Sequence, residues 1–217
     1  MVDHVTEVAN SVEAESRPKF RDAQILKKVM RESILTSPGS FLKSVADVDT
    51  MSEDYWDKEI ETSTWAVVQQ FDNIVGIAAS QWPDKEIDYD VDQLKTRFIE
   101  SVWIAPILRG SHMGERLVNY LMEVERTKYP SVSHFMLWVF EKNENAIRLY
   151  ERMRFKRAGK HILESDRIEL RYEYVVPDLS AKEAVRRSQA NAAARQADQR
   201  RHGVTYRVLA GISCSAV

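Results

Sequence analysis

The chain has 217 residues but only one cysteine, Cys214, and only six prolines and seven glycines. A single cysteine excludes an internal disulfide and a zinc site built from several cysteine ligands. We therefore expect a protein of a reducing, cytoplasmic compartment, because disulfide-bonded proteins belong to oxidising ones. No apolar run approaches the ~18 residues that a membrane-spanning helix needs. The polar, acidic segment 1–15 does not resemble a signal or transit peptide.

A large net charge of either sign is also missing. The formal charge of −2 argues against wholesale binding of nucleic acid, which favours a strongly basic domain. The charge is nevertheless uneven. Residues 178–217 contain seven lysines and arginines against three acids, so this segment carries +4 and the rest of the chain −6. With 44% hydrophobic residues, the chain has the composition of a soluble globular protein and can bury a sizeable core.

The apolar pattern predicts a mixed α/β sheet covered by helices. The predicted helices span residues 20–35, 50–60, 114–127, 145–153 and 180–202. The predicted strands span residues 2–8, 64–70, 74–82, 97–105, 135–140, 162–163, 168–176 and 204–217. The first of these strands is weakly patterned, and the last follows a helix that lacks large apolar residues. We expect that helix to be solvated or packed against a partner through its alanines.

Two pairs of residues have the spacing of a helix capping box. Thr50 and Glu53 predict the start of the helix that runs to Ile60, and Ser180 and Glu183 predict the start of the last helix. Gly203, which follows three basic residues, predicts where the last helix ends.

A turn between one strand and one helix carries the clearest chemical signal. The strand over residues 97–105 ends at Pro106 and is followed by Arg109-Gly110-Ser111-His112-Met113-Gly114 and then a helix. Consecutive backbone N–H groups at a helix N-terminus form a site for an anion such as a pyrophosphate. Glycine at 110 and 114 lets the backbone approach such a group closely. The alternative is a tight turn that binds no ligand.

A second motif follows the next strand. Asn143, Ala146 and Tyr150 open a short helix, and Phe155 follows five residues after Tyr150. The two motifs in this order resemble the two signatures of the GNAT superfamily, the Gcn5-related N-acetyltransferases, whose first pattern is R/Q-x-x-G-x-G/A. Segment 37–42 and Trp56 are similar to the helix-loop-helix that many members place before the second strand. The resemblance covers roughly residues 22–176 and leaves the tail outside.

The resemblance implies a GNAT-like acyl-CoA N-acyltransferase fold. Such a fold has a mostly antiparallel sheet, a splayed central pair of strands and helices on both faces. It also implies acetyl-CoA as the cofactor, with the pantetheine arm against the main chain of the strand and the pyrophosphate at the turn. The cofactor-binding residues that it implies are Val102, Trp103, Ile104, Arg109, Gly110, Ser111, His112, Met113, Gly114, Asn143 and Tyr150. Residues of the strand are also core residues, and Asn143 could instead serve as a helix cap.

Two residues depart from the family pattern, which has glycine at both positions. We expect His112 to be tolerated: with a negative φ its amide still serves and its imidazole could lie near the phosphate, whereas a site that demands a positive φ would bind the cofactor less tightly. Arg154, just before Phe155, is expected to be exposed.

Two residues are candidates for the chemistry of acetyl transfer. The resemblance places Tyr150 near the thioester sulfur, where its phenol could act as general acid when the CoA thiolate leaves. The alternative is an inward-facing core tyrosine. Glu100 is the candidate base for the acceptor amine, because a strand period of two puts Glu100, Val102 and Ile104 on one face. The alternative is a structural ion pair or an exposed carboxylate at the end of the strand. Members of the family often need no strict base, because part of the amine is neutral at working pH and proximity supplies much of the acceleration.

We therefore predict an enzyme that acetylates a primary amine of a small molecule or peptide by direct transfer in a ternary complex. Residues 1–177 would form the acetyltransferase domain and residues 178–217 a C-terminal extension. The sequence predicts acetyl-CoA and an amine acceptor as partners, a possible homodimer, and no nucleic acid, membrane or metal. The acidic segment 83–95 could steer a cationic acceptor or be a solvated loop. Two alternatives are an acyl-CoA-binding sensor or scaffold without transfer, and an interaction protein that acts through its basic helix.

Overall fold

The computed structural model of the protein describes residues 19–163, 165–178 and 180–209. The predicted strand 2–8, Cys214 and segment 210–217 lie outside these residues. The helices that it describes are α1 (Lys19–Thr36), α2 (Val45–Thr50), α3 (Glu53–Thr62), α4 (Met113–Lys128), α5 (Glu144–Arg152) and α6 (Ala181–His202). The strands are β1 (Thr64–Gln70), β2 (Asn73–Gln81), β3 (Thr96–Ile104), β4 (His134–Phe140), β5 (Lys156–Ile162), β6 (Ile168–Val175) and β7 (Val204–Val208). A 3₁₀ turn spans Pro106–Leu108.

The described strands form one seven-stranded sheet in the order β5-β6-β4-β3-β2-β1-β7. Only β3 and β4, at its centre, are parallel neighbours, and the other pairs are antiparallel. The parallel ladder runs from the pair Thr96–His134 to the pair Phe98–Met136 and then stops. Because β3 continues to Ile104 and β4 to Phe140, the two strands part over the rest of their length. The predicted fold class, with its splayed central strands, is confirmed.

A β-bulge in β3 changes which side chains share a face. Ser101 has φ +54°, and the register between β2 and β3 shifts at this point. Glu100 and Trp103 oppose Ala79 and Ile77 of β2, so both lie on one face, whereas Ile104 opposes Gly76 and lies on the other. The prediction that Glu100 and Ile104 share a face is therefore wrong. A bulge adds one residue to the strand, and an alternating pattern cannot reveal it.

The two faces of the sheet are covered by different helices. The helix α4 packs on β1, β2 and β3, and a fully buried ion pair joins it to β3, with Arg97 Nε 2.6 Å from Glu125 Oε2. The helices α1 and α3 cover the opposite face, where the indole of Trp103 donates a hydrogen bond to Thr36 at the end of α1. The largest fully buried apolar side chains of the core include Trp56, Trp65, Phe135, Phe155 and Leu26.

The start of the second predicted helix is wrong. Ser52, not Thr50, caps α3 by accepting a hydrogen bond from the N–H of Tyr55. Thr50 is instead the last residue of α2, a six-residue helix whose capping box is formed by Ser44 and Asp47. A helix of fewer than two turns is too short to produce a recognisable apolar period.

The last described helix, α6, leads into the last described strand, which completes the sheet. The helix α6 has the predicted capping box at Ser180 and ends at Gly203, and β7 then pairs with the edge strand β1. Polar side chains join α6 to α4. Arg195 lies 2.8 Å from Glu123, and Asn191 also donates to that carboxylate. The helix thus packs within the chain through hydrogen bonds and ion pairs. Among the described helices, none is long and apolar enough to cross a membrane.

Candidate functional site

A cleft of about 650 Å³ opens where β3 and β4 part, and we call it the basic compartment. The charged side chains that line it are Arg109, Arg148 and Arg152, and none of its described lining residues is a carboxylate. His112 lines it as well. Main-chain and apolar walls come from Val102, Trp103 and Ile104 of β3. Positive charge without a counter-charge in the lining makes this cleft suited to an anionic ligand.

The turn before α4 lies in the wall of this compartment. Gly110 and His112 both have positive φ, +77° and +61°. The expectation of a negative φ at His112 is therefore wrong, and this residue holds the left-handed conformation that glycine adopts most readily. Within the described residues, the N–H groups of Gly110, Ser111 and His112 donate no hydrogen bond to another residue. With the first N–H groups of α4, they leave a series of free donors at the positive end of a helix.

Side chains hold this turn from several directions. Arg109 donates from Nε to the carbonyl of Ile104 at 3.0 Å and from Nη2 to the hydroxyl of Ser37 at 2.8 Å. Ser111 donates its hydroxyl to the carbonyl of Leu108 at 2.6 Å, so its side chain stabilises the turn and does not line the cleft. The guanidinium of Arg109 therefore also links the turn to the loop that follows α1.

Two helices approach each other closely beside the turn. A Cβ added at Gly114 would lie 3.4 Å from Leu149 of α5. Glu115, in the first turn of α4, binds Arg152 of α5 at 2.7 Å and lies 3.1 Å from Nδ1 of His112. The first turn of α4 thus lies within ordinary van der Waals distance of α5, and Glu115 joins both helices to the turn.

Asn143 caps α5 and also contacts the loop above the cleft. Its Oδ1 accepts a hydrogen bond from the N–H of Ala146, and its Nδ2 donates to the hydroxyl of Ser40, both at 3.3 Å. The helix-cap role is therefore present. Asn143 also lines the basic compartment, so the cap places its amide beside any ligand there.

A second pocket of about 370 Å³ adjoins the first, and we call it the acidic compartment. The two compartments share lining residues at the point where the strands part, namely Ser40, Phe41, Val102, Asn143 and Ala146. The titratable side chains of the acidic compartment are four carboxyl groups, Asp84, Asp88, Glu100 and Glu169, with Lys43 and His161. Its apolar walls include Phe98, Trp138 and Phe140. The site is therefore divided into two halves of opposite charge.

Glu100 lies in the acidic compartment, next to the bulge. Burial raises the pKa of its carboxyl to about 7, the carboxylate of Glu59 adds to the rise, and the ammonium of Lys43 opposes it. No ion pair or hydrogen bond holds this carboxyl among the described residues. A carboxyl with a pKa near neutrality can accept and release a proton at ordinary pH, as a general base requires.

Tyr150 lines the acidic compartment from α5 and is 6% exposed. Its ring packs 5.7 Å from that of Phe155, and no described residue accepts a hydrogen bond from its hydroxyl. Burial strongly raises its pKa, so the hydroxyl keeps its proton at neutral pH. A protonated phenol in a pocket wall can donate to a ligand.

Asp88 and Glu169 make the far wall of the acidic compartment polar. Asp88 is 3% exposed and accepts a hydrogen bond from the indole of Trp138 at 3.2 Å. Glu169 is 8% exposed, and none of the described residues forms a hydrogen bond or ion pair with its carboxylate. Burial raises the pKa of both carboxyl groups. A cation bound between them would relieve this cost of burial.

The structure brings most of the predicted site residues to one place. Eleven of the twelve line one or both compartments, and the exception is Ser111. Tyr150 and Glu100 line the acidic compartment only. Sequence reasoning missed Arg148, Arg152, Lys43 and Glu169. Helical spacing puts Arg148 and Arg152 one turn apart after Asn143, and this signal could have identified them. Arg154 is exposed, as predicted, and has φ +69°.

Comparison with known proteins supports the fold. The structure of the GNAT acetyltransferase of Streptococcus pneumoniae is 14% identical, with a TM-score of 0.57, over 73% of this chain and 95% of that one. Arabidopsis thaliana NAA60, solved with a bisubstrate analogue, is 16% identical, with a TM-score of 0.55, over 73% of this chain and 95% of that one. Aminoglycoside acetyltransferase AAC(6')-Ib, solved with coenzyme A, is 20% identical, with a TM-score of 0.55, over 72% and 90%.

At these identities the structures establish a shared fold. No protein with a curated description matches the sequence. Residues 29–155 match the acetyltransferase (GNAT) family, and this range contains the turn, the bulge, both central strands and α5. Because the match spans more than half of the 217 residues, the chain belongs to the GNAT family of acetyltransferases.

Proposed function

We propose that the protein is an acetyl-CoA-dependent N-acetyltransferase that acetylates a primary amine by direct transfer in a ternary complex. The observation that carries this proposal is the pair of compartments of opposite charge, which meet at Val102 where β3 and β4 part. An anionic donor in one and a cationic acceptor in the other would meet at this point. Holding two reactants in contact supplies much of the rate of a bimolecular reaction.

The basic compartment fits acetyl-CoA. The free N–H groups at Gly110–His112 and the N-terminus of α4 would hold the pyrophosphate, and Arg148 and Arg152 would add positive charge beside it. The backbone of β3 beyond Phe98 has no ladder partner in β4, so it can bond to the pantetheine arm. NAA60 and AAC(6')-Ib share the fold and have been solved with acetyl-CoA and coenzyme A, which supports this assignment.

The acidic compartment supplies the groups for transfer. When bound, acetyl-CoA provides an acetyl thioester. Glu100 accepts a proton from the acceptor ammonium, directly or through water, so that a neutral amine is available to attack. Tyr150 holds its proton on a hydroxyl that can donate to the sulfur as negative charge develops there. The described residues contain no cysteine, and the transfer needs no covalent enzyme intermediate.

The same compartment indicates a cationic acceptor. Four carboxyl groups against one lysine give the compartment a negative potential that attracts an ammonium group, and its aromatic walls favour an apolar body between the charges of the acceptor. We further propose that residues 1–177 form the catalytic domain, with 178–217 as an extension. A cytoplasmic location and a homodimer stay predictions of the sequence.

Release of thiol from acetyl-CoA, measured with a panel of mono- and diamines, tests the proposal. We expect turnover with cationic amines and binding of CoA in the micromolar range by calorimetry, a range typical of enzyme substrates. Binding of CoA without turnover of any amine would favour the acyl-CoA sensor instead. Absence of CoA binding would exclude both.

A further inference from the structure

A chain of hydrogen bonds links the C-terminal segment to the turn before α4. Arg116, in the first turns of α4, donates from Nη2 to the carbonyl of Ser111 and from Nε to the carboxylate of Asp198 in α6. Tyr206 of β7 donates its hydroxyl to the same oxygen of Asp198. Arg116 is therefore held at two points, one in the turn and one in the extension.

These contacts are shielded from water. The side chain of Asp198 is 5% exposed and that of Arg116 is 20% exposed. Burial lowers the pKa of Arg116, but the hydrogen bonds that it donates to Asp198 and Tyr206 outweigh burial and raise that pKa overall. Charged hydrogen bonds of low exposure are among the stronger ones in proteins. The chain of contacts is thus a stable part of the fold.

The geometry of the peptide bond gives this chain a consequence for the turn. The carbonyl of Ser111 and the N–H of His112 belong to one planar, trans peptide unit, in which the two groups point in opposite directions. When Arg116 holds the carbonyl, it fixes the direction of the N–H. That N–H is one of the free donors of the basic compartment, and His112 must also hold φ at +61°. A left-handed histidine is strained, so an outside restraint is needed to keep it there.

We propose that Asp198 and Tyr206 are positioning residues that act through Arg116 to orient the pyrophosphate-binding turn. This inference rests on the proposed function, because it assumes that the turn binds the pyrophosphate of acetyl-CoA. Both residues lie outside the 29–155 segment that matches the family. The extension therefore contributes to the donor site without lining it.

A truncated donor separates positioning from general stability. S-Acetylpantetheine carries the same thioester as acetyl-CoA but has no pyrophosphate, so it cannot use the turn. We expect Asp198→Asn to lower kcat/KM for acetyl-CoA about tenfold, the effect of losing a hydrogen bond to a charged group, and to leave kcat/KM for S-acetylpantetheine within twofold. Tyr206→Phe, which keeps the ring, should act in the same direction by about threefold.

Glu123→Gln is the matched control. Glu123 also joins α4 to α6, through Asn191 and Arg195, but it makes no contact with the turn. We expect this variant to turn over both donors as the wild type does. The inference would be overturned if Asp198→Asn lowered kcat/KM equally for both donors, or lowered it for neither. If Asp198→Asn does not fold, the same comparison of the two donors is made with Tyr206→Phe.

Calorimetry keeps this test separate from that of the proposed function. The wild type must first bind CoA, and failure at that step counts against the proposed function. If CoA binds without turnover, the Kd of CoA in Asp198→Asn replaces kcat/KM, and the expected weakening is again about tenfold. An unchanged Kd would overturn the inference while leaving CoA binding itself established.

Discussion

Glu100 and Trp103, three residues apart in β3, lie on the same face of the sheet, because the bulge at Ser101 adds one residue between them. In a regular strand, residues three apart lie on opposite faces. The bulge thus allows Glu100 to line the acidic compartment while Ile104 packs on the other face, near α4. The bulge also lies close to the point where β3 and β4 separate, so a single irregularity of the backbone affects both compartments of the site.

Replacement of Tyr150 by Phe tests its role as proton donor. We expect kcat to fall about 100-fold, within the range for loss of a general acid, while the KM for acetyl-CoA stays within twofold. The structure permits this substitution because the hydroxyl makes no hydrogen bond to a described residue and the ring contact with Phe155 is kept. Steady-state thiol release measures both constants, and an unchanged kcat would contradict the assignment.

The pH profile of activity tests Glu100. Because its pKa is raised to about 7, the carboxylate that accepts the proton becomes the main form only above that pH. We expect kcat/KM for the amine to rise with an apparent pKa of about 7 in the wild type. In Glu100→Gln this step should vanish, with activity at pH 8 roughly 10-fold to 100-fold lower. A wild-type profile without this step would count against Glu100 as base.

At high pH, where Glu100→Gln should be less active than the wild type, we expect the same variant to be more stable than the wild type. The folded pKa of Glu100 lies above its unfolded value of 4.5, so its contribution to stability is complete below pH 4.5 and is lost as pH rises through 7. Glutamine carries no charge at any of these pH values, so the variant does not lose stability in this way. We expect Glu100→Gln to melt about 3–6 °C above the wild type at pH 8.5 and close to it at pH 4.5. Scanning calorimetry at both pH values provides the check. If the difference in melting temperature were the same at both pH values, ionisation of Glu100 would carry no cost of burial, and the prediction would be wrong.

Arg154 offers a test of backbone strain. Arg154 follows the end of α5 and has φ +69°, a conformation for which glycine is the usual residue after a helix. We expect Arg154→Gly to raise the free energy of unfolding by roughly 0.5–1 kcal/mol, because relief of the left-handed strain exceeds the entropy lost by glycine. Arg154→Ala removes the same side chain but keeps the strain, so it should give no gain in denaturant unfolding. Equal gains from both variants would mean that the side chain, not the backbone, is responsible.

The buried pair of Arg97 and Glu125 makes a further prediction about stability. Both side chains are at most 2% exposed, and Arg97 also lies 4.5 Å from the ring of Trp82. Removal of one partner in Glu125→Ala should destabilise the fold by about 3–5 kcal/mol, because it leaves the guanidinium buried without its counter-charge. The double variant Arg97→Met, Glu125→Leu should recover most of that loss. Urea unfolding of the three proteins tests this, and a double variant as unstable as the single one would contradict it.

The sequence predicted the fold and most of the residues that line the candidate site, because these depend on local patterns. The free N–H groups at Gly110 and the cap at Asn143 arise from residues close together in the chain. Apolar spacing located α1 and α4, and the capping residues located α6. The acidic compartment could be predicted only in part, since Glu169 and Asp88 meet through the order of the strands, which no local pattern contains. The bulge at Ser101 was missed for a related reason, because it exists only relative to β2.

The strand β7 has a consequence for handling the protein. It covers the open side of β1, a strand whose first five residues are buried. A version cut after Pro177 would leave the N–H and C=O groups of that apolar strand exposed, and such an edge is a template for aggregation between chains. Fragments made to resemble the shorter relatives are therefore expected to precipitate, even where every residue of the cleft is retained.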